Sequence, residues 1–260
     1  MKNKKSRNRI ITFIQLILLL IFLLAAINAG RILYSYHEGD SFYDNSRNRY
    51  TDEADYAQQI IAKNAETGIT VDIDSLKKEN PDIKGWIVIP ETNVSYPLLW
   101  SGSDQKYLRT TYTGEYSIFG SIFISKDCSS DLSDRHTVIY GHNTKNGSMF
   151  GSLKNYKTTD YRQAHPFVYI IMDGYTCKYE IFSAFTVETS DSVYTLTFVD
   201  DESYKDWQRK IASRSIVKDI GWYEPQGTEK ILTLSTCTSR TKTERFVVNA
   251  RLVDYWENGL

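Results

Sequence analysis

The sequence is poor in cysteine and proline and has no excess of either charge. Its 260 residues include three cysteines and five prolines, and the formal net charge is −1. Three cysteines cannot all pair within one chain, so a disulfide-rich secreted scaffold is excluded and at least one thiol is free or pairs between chains. Cys128, Cys177 and Cys237 show no CxxC or Cys/His metal spacing, which argues against a structural zinc site.

The overall composition narrows the class of protein further. A net charge near zero argues against a nucleic-acid partner, because nucleic-acid binders usually carry a strong basic excess. Hydrophobic residues make up 41 % of the chain and charged residues 24 %, which excludes a disordered protein. The length allows one large domain or two small ones.

The charge is unevenly distributed along the chain. Residues 1–9 carry five Lys or Arg and no acid, so subtracting these five charges from −1 leaves −6 on the rest. Residues 10–30 (IITFIQLILLLIFLLAAINAG) contain no charge. A helix of this length spans about 32 Å, enough to cross a bilayer core of about 30 Å. The basic cluster before it predicts a cytoplasmic N-terminus, with everything after Arg31 outside the cell.

The apolar segment has two interpretations. It is longer than the apolar core of a secretory signal peptide, about 7–15 residues, which favours an uncleaved signal anchor. The small residues Ala25, Ala26 and Ala29 leave cleavage open as the alternative. The predicted organisation is a cytoplasmic stub at 1–9, a membrane anchor at 10–30, a juxtamembrane and helical segment at 31–80, and a catalytic domain at 81–260.

Two helices are predicted before the main domain, and a different sequence pattern follows them. Residues 50–65 favour a helix with Thr51 as its N-cap, and residues 75–79 favour a short one capped by Asp72 or Asp74. From there on, about eight short runs rich in Val, Ile, Tyr, Phe and Thr alternate with turn residues. This pattern predicts a mostly-β sandwich or barrel. Two helices interrupt the strands, a long one at 203–214 and a short one at 149–156.

Three side chains at strand ends are candidates for chemistry. Cys237 ends the run ILTLSTC and shares a strand face with Thr233 and Ser235. His142 ends the run TVIYGH beside a polar loop, where a near-neutral pKa suits acid–base catalysis. Arg245 follows Cys237 by eight residues, so a hairpin would bring its guanidinium back beside the thiol. The ordinary alternatives are a buried core cysteine, a hydrogen-bonded histidine and a solvated arginine.

These motifs together resemble the class B sortases, membrane-anchored cysteine transpeptidases of Gram-positive bacteria. The similarity rests on TLSTC followed by Arg245, on YGHN about ninety residues earlier, and on NPDIKGWIVIP, SYPLL, GSIFIS and SMFGSLKNY in the same order. It covers most of residues 45–255. The resemblance implies an eight-stranded sortase β-barrel with N-terminal helices and one long helix before the cysteine strand.

The resemblance also implies an activity. The Cys237 thiolate would cleave a C-terminal sorting motif of a secreted protein after Thr and pass the acyl group, through a thioester, to an amine of peptidoglycan or lipid II. His142 would supply acid–base catalysis, and Arg245 would hold the substrate and support the oxyanion. The motif would be NPxTx-like or PxTG-like. The substrate-contact positions of class B fall on Ser235, Tyr140, Leu108, Thr189 and Tyr194, with Val193 as the alternative to Tyr194.

Several alternatives remain open from the sequence alone. Water could replace the amine as acceptor, the enzyme could polymerise pilins, or the domain could bind a partner without catalysis. The sequence names no residue that orients His142. We expect no cofactor and no metal, because the acidic group Asp127, Asp131 and Asp134 has the character of a solvated loop.

Overall fold

The computed structural model describes residues 2–53, 67, 69–217, 223, 225–238, 241 and 243–258, with side chains described from residue 11 and not at 52 and 53. The chain divides into two compact units, Met1–Phe42 and Tyr43–Leu260. The first unit is part of helix α1 (Lys2–Tyr50). The second unit contains all the strands that the structure describes.

Helix α1 contains the predicted apolar segment. Among the described residues it is the one helix long and apolar enough to cross a membrane, within the stretch Ile11–Tyr50. Large apolar side chains from Ile11 to Leu33 are exposed. Helix α1 also includes residues 31–49, which lie in the predicted juxtamembrane and helical segment. That stretch has one Gly and no Pro, so nothing in it removes a donor from the helical hydrogen-bond ladder.

The prediction of a helix at residues 50–65 is wrong at its start. Thr51 is not an N-cap but opens strand β1 (Thr51–Glu53), which pairs antiparallel with β2 (Ile69–Val71). The Thr51 hydroxyl donates to the Arg47 carbonyl at 2.8 Å, so this side chain completes the end of α1. The rest of the predicted helix lies outside the described residues.

The short second helix is confirmed as α2 (Ile73–Glu79). Asp72 is its N-cap, and its carboxylate accepts a hydrogen bond from the Ser75 N–H at 2.9 Å. This contact satisfies one of the backbone donors that a helix start leaves without a partner. The helix ends at Asn80, whose following residue, Pro81, cannot continue it.

Eight strands close into a barrel, as predicted. They are β3 (Ile83–Val88), β4 (Ser95–Leu99), β5 (Ile122–Ile124), β6 (His136–Tyr140), β7 (Phe167–Met172), β8 (Tyr175–Glu188), β9 (Ile231–Cys237) and β10 (Glu244–Glu257). Their order around the barrel is β10-β8-β7-β3-β4-β5-β6-β9. The β4–β5 and β6–β9 pairs are parallel, and the other described pairs within the barrel are antiparallel.

The predicted long helix is α4 (Asp201–Ser213), preceded by a shorter α3 (Thr159–Ala164). Asp200 and Ser203 form a reciprocal capping box that starts α4. One face of α4 is buried and joins Phe185, Val187 and Val247 of the barrel in one apolar cluster, to which it contributes Tyr204, Trp207 and Ile211. Burial of each such side chain stabilises the fold by about 1.5–3 kcal/mol. The other predicted helical segment is confirmed as a 3₁₀ helix, Gly151–Lys157.

Candidate active site

The pairing of β6, β9 and β10 brings three chain positions to one edge of the barrel. Strands β6 and β9 run parallel, so their C-terminal ends lie together, and the antiparallel β10 starts at the same edge. His142 follows β6 by two residues, and Cys237 is the last residue of β9. Arg245 pairs directly with Cys237 in the β9–β10 register. Directly paired residues project from the same face of a sheet, so the guanidinium and the thiol are neighbours.

A cavity of about 300 Å³ opens at this edge. All eight residues named from the sequence line it: His142, Cys237, Arg245, Ser235, Tyr140, Leu108, Thr189 and Tyr194. Five residues that the sequence patterns did not single out complete the lining: Asp104, Gln105, Phe123, Gly141 and Thr236. Val193, the alternative to Tyr194, is instead fully buried in the apolar cluster beside α4.

The His142 ring is oriented by a backbone carbonyl. Its Nε2 lies 2.6 Å from the carbonyl oxygen of Leu108. Because a carbonyl only accepts hydrogen bonds, Nε2 carries the proton and the neutral ring keeps its lone pair on Nδ1. The Leu108 carbonyl is therefore the group that orients His142. It could not be predicted from the sequence, because every residue has a backbone carbonyl.

The environment of His142 favours its neutral form. Burial lowers its pKa, the hydrogen bond to Leu108 opposes this effect, and the positive charge of Arg109 adds to it. The neutral imidazole can therefore accept a proton at Nδ1 at pH values where a free histidine would already be charged.

The loop that carries His142 is held by a close backbone approach. A Cβ atom on Gly141 would lie 2.7 Å from the buried Phe150 ring, so a larger residue would displace one of them. The Phe150 N–H donates to the His142 carbonyl at 3.0 Å. The Gly141 N–H in turn donates to the Ser235 carbonyl at 3.2 Å, which ties the loop to the cysteine strand.

One wall of the cavity is formed by a hydroxyl pair. The Tyr194 hydroxyl lies 2.8 Å from the Ser235 Oγ atom. Ser235 pairs in register with Tyr140 of β6, so the two strands present both residues at the same level of the cavity. Tyr194 lines the cavity and comes from a 3₁₀ turn, Ser192–Tyr194, rather than from a strand.

The three cysteines differ in exposure. All three lie in the described part of the chain and are free thiols; Cys128 and Cys177 are buried, and Cys237 is partly exposed. Burial raises the pKa of Cys128 and of Cys177 to about 11. These two thiols stay protonated at neutral pH, and a thiol is a poor nucleophile compared with a thiolate. Of the three, Cys237 is the thiol that lines the cavity.

The acidic group near β6 is engaged within its own loop. Asp131 accepts from the Ser133 N–H at 3.0 Å, Asp134 accepts from the Ser129 hydroxyl at 2.9 Å, and Asp127 pairs with Lys126 at 2.6 Å. In the part of the chain that the structure describes, no group of three or more His, Cys, Asp or Glu side chains is arranged to hold a metal ion.

Comparison with known proteins identifies relatives that match most of the chain. The Sortase domain model matches residues 87–253. Sortase B of Listeria monocytogenes is 30 % identical over 241 residues, 92 % of this chain and 94 % of that protein. The X-ray structure of Clostridium perfringens sortase B has a TM-score of 0.65 and 31 % identity, covering 70 % of this chain and 99 % of that one. A crystal structure of sortase B complexed with triglycine has a TM-score of 0.63 and 28 % identity, covering 70 % and 85 %.

Proposed function

This chain belongs to the sortase family of cell-wall transpeptidases, and on that basis we propose that it cleaves a C-terminal sorting motif after Thr and joins the acyl group to an amine of peptidoglycan or its lipid II precursor. The observation that carries this proposal is the meeting of Cys237, His142 and Arg245 at one cavity. The secreted proteins that bear the motif and the wall amine are the proposed partners. The triglycine bound to the sortase B relative supports an amine acceptor.

The proposed reaction has two acyl-transfer steps on Cys237. The neutral His142 ring takes the proton of the Cys237 thiol at Nδ1, and the resulting thiolate attacks the Thr carbonyl carbon. The C–N bond after Thr then breaks, and the leaving nitrogen takes this proton from the imidazolium of His142. The product of this step is a thioester. The incoming amine then attacks the thioester carbonyl and gives a proton to His142, and the C–S bond breaks to return the thiolate.

Five further lining residues would hold the peptide. Ser235, Tyr140, Leu108, Thr189 and Tyr194 line the cavity around the thiol, and we assign them to substrate contact. Their surface is mostly apolar and aromatic with a few hydroxyls, which is typical of a site that binds an extended peptide through packing and a small number of hydrogen bonds.

The proposed location follows from α1. We propose that residues 1–9 form a cytoplasmic stub, that residues 10–30 anchor the chain in the cell membrane, and that residues 31–80 connect the anchor to the catalytic domain at 81–260. The support is the exposed apolar segment of α1 together with the five basic residues that precede this segment. This topology presents the cavity to the cell wall.

The proposed activity predicts an amide product. Full-length protein in detergent micelles, given a sorting-peptide library and a panel of amines, should cleave after Thr and yield mainly peptide joined to amine. Mass spectrometry of the products checks this. If saturating amine still gave only the free acid, the enzyme would be a cysteine peptidase that uses water. If only a lysine side chain of a pilin-like peptide were accepted, pilin polymerisation would replace wall anchoring.

The direct pairing of Arg245 with Cys237 predicts a large effect of a charge-conserving change. The variant Arg245→Lys keeps the positive charge but loses the planar fork that can donate two hydrogen bonds to the developing oxyanion and the peptide backbone. We expect kcat/KM for the sorting peptide to fall by about 10²-fold. Arg251→Lys is the matched control, because Arg251 lies on the same strand but pairs with Glu180. A loss below threefold in Arg245→Lys would remove the proposed oxyanion role.

A further inference from the structure

A second histidine, His136, links two of the segments that line the cavity. It is the first residue of β6 and is fully buried, with 0 % of its surface exposed. Its Nδ1 lies 2.8 Å from the carbonyl oxygen of Thr195, and its Nε2 lies 2.8 Å from the hydroxyl of Thr233. Thr195 directly follows the Tyr194 turn, and Thr233 lies on the strand that ends at Cys237. The His136 imidazole thus links the Tyr194 turn to the strand that carries Cys237.

The contacts of His136 continue across the sheet. The Thr233 hydroxyl also lies 2.8 Å from Asn249 Oδ1, and Asn249 donates to the Ser183 hydroxyl at 2.9 Å. Thr233 and Asn249 are paired in the β9–β10 register, four residues from Cys237 and Arg245 respectively. Residues four apart in a strand share a face. The buried polar chain therefore runs directly behind the edge that carries the thiol and the guanidinium.

His136 is one of three anchors of the Tyr194 turn. Before the turn, the Asp191 carboxylate accepts two hydrogen bonds from Arg214, at 2.7 and 2.8 Å. Within it, Trp207 Nε1–H donates to the Ser192 carbonyl at 2.7 Å. After it, the His136 ring reaches Thr195. Within the turn, the N–H groups of Tyr194 and Thr195 donate to the carbonyls of Asp191 and Ser192, each at 3.2 Å. The three anchors tie this locally bonded turn to the rest of the domain and so contribute to the position of the Tyr194 hydroxyl.

The His136 ring is suited to a fixed structural contact. It packs on the indole of Trp207 with ring centroids 4.6 Å apart. Burial lowers its pKa to about 4, although the hydrogen bond to Thr195 and the charge of Asp134 act in the opposite direction. The ring is therefore neutral at physiological pH. Because the Thr195 carbonyl only accepts, the proton of the neutral ring lies on Nδ1, which fixes its tautomer.

We propose that His136 is a positioning residue that holds Tyr194 against Ser235 and thereby shapes the peptide-binding wall of the cavity. It is fully buried, so it acts through Thr195 and not by touching the peptide. The inference rests on the proposed function, in which Tyr194 and Ser235 contact the sorting peptide.

Two substitutions separate the two contacts of the ring. The amide of His136→Gln can replace Nε2 towards Thr233 but not Nδ1 towards Thr195, whereas the amide of His136→Asn can replace Nδ1 but not Nε2. We expect His136→Gln to raise KM for the sorting peptide about tenfold, the effect of losing one well-made buried hydrogen bond, with kcat within threefold of wild type. His136→Asn should keep KM within about threefold.

A second variant tests the same segment without changing the histidine. Trp207→Phe keeps an aromatic ring against His136 but removes the donor to Ser192. It should raise KM in the same way as His136→Gln, and it carries the test if His136→Gln does not fold. His165→Gln is the matched control: His165 contacts the Pro90 carbonyl at 3.1 Å, and its substitution should leave KM and kcat unchanged.

Two further measurements distinguish positioning from a general loss of structure. The rate at which iodoacetamide alkylates Cys237 should stay within twofold of wild type in every variant, because the thiol and His142 are untouched. Amide hydrogen exchange over residues 192–195 should be faster in His136→Gln and Trp207→Phe than in wild type. Lower kcat and altered alkylation with unchanged KM would overturn the inference, and so would unchanged exchange. A wild-type protein that cleaves no sorting peptide would overturn the proposed function instead, and the exchange data would still decide the role of His136.

Discussion

Replacing Cys237 with alanine is expected to lower kcat/KM for the sorting peptide by about 10⁵-fold or more, to the background of the assay. The reason is that no other thiol in the chain can replace it. Cys128 and Cys177 are buried, and burial raises the pKa of each to about 11, so neither supplies a thiolate at neutral pH. Peptide cleavage followed by mass spectrometry measures the loss.

Covalent labelling gives the same prediction an independent readout. Intact-mass analysis of native wild type should show one iodoacetamide adduct at neutral pH and one transient acyl adduct with the sorting peptide, and Cys237→Ala should show neither. Cys177→Ala is the control, because that thiol lies in the wall of the barrel, paired with Tyr255 in the β8–β10 register and away from the cavity. Cleavage that persisted in Cys237→Ala would rule out thioester catalysis altogether.

Strand periodicity alone predicted where Cys237 would lie, for a physical reason. The run before it alternates, so one face carries Leu232 and Leu234 and the other carries Ser235 on the side of the thiol. Arg245 lies eight positions after Cys237, which allows a hairpin, and the register pairs these two residues directly. Short-range rules of this kind act within one or two adjacent strands, which is why they were sufficient here.

The order in which the barrel strands pair could not be predicted from local sequence patterns alone. The parallel pairs β4–β5 and β6–β9 join strands that are separated by long stretches of chain, and no local signal encodes such pairing. The place of His142 beside Cys237 depends on the β6–β9 pair, so the resemblance to sortases, and not periodicity, predicted their meeting. The prediction for Thr51 was wrong because it relied on local pattern alone. Thr51 is a residue type that often caps a helix start, but in the structure it completes the end of α1 and begins a strand.

The contacts that orient the His142 and His136 side chains could not be predicted from the sequence. The group that fixes the His142 tautomer is a carbonyl oxygen of Leu108, a residue named for its side chain and used through its backbone. From the sequence, His136 is only the first residue of a strand, and its two ring contacts come from segments 59 and 97 positions away. Both interactions depend on tertiary packing, which carries no pattern in the local sequence.

The substitution His142→Gln is the second change expected to have a very large effect. The glutamine amide can still donate to the Leu108 carbonyl, so the loop keeps its contact, but it cannot take up and release a proton. We expect kcat/KM to fall by about 10³–10⁴-fold, the contribution of general acid–base catalysis. Unchanged thermal stability, measured by calorimetry, would show that the loss is chemical. The control is His165→Gln, which should retain wild-type activity.

The pH profile makes this prediction specific to proton transfer. Burial disfavours the imidazolium form and lowers the pKa of His142, so the ring loses its proton at a lower pH than a free histidine, whose pKa is about 6.5. Activity of the wild type should therefore fall as the pH drops through a value below about 6.5. In His142→Gln this acidic limb should disappear, because glutamine does not titrate. An acidic limb above pH 7 in wild type, or one retained in the variant, would show that another group titrates, and His142 would then lose its role as the base.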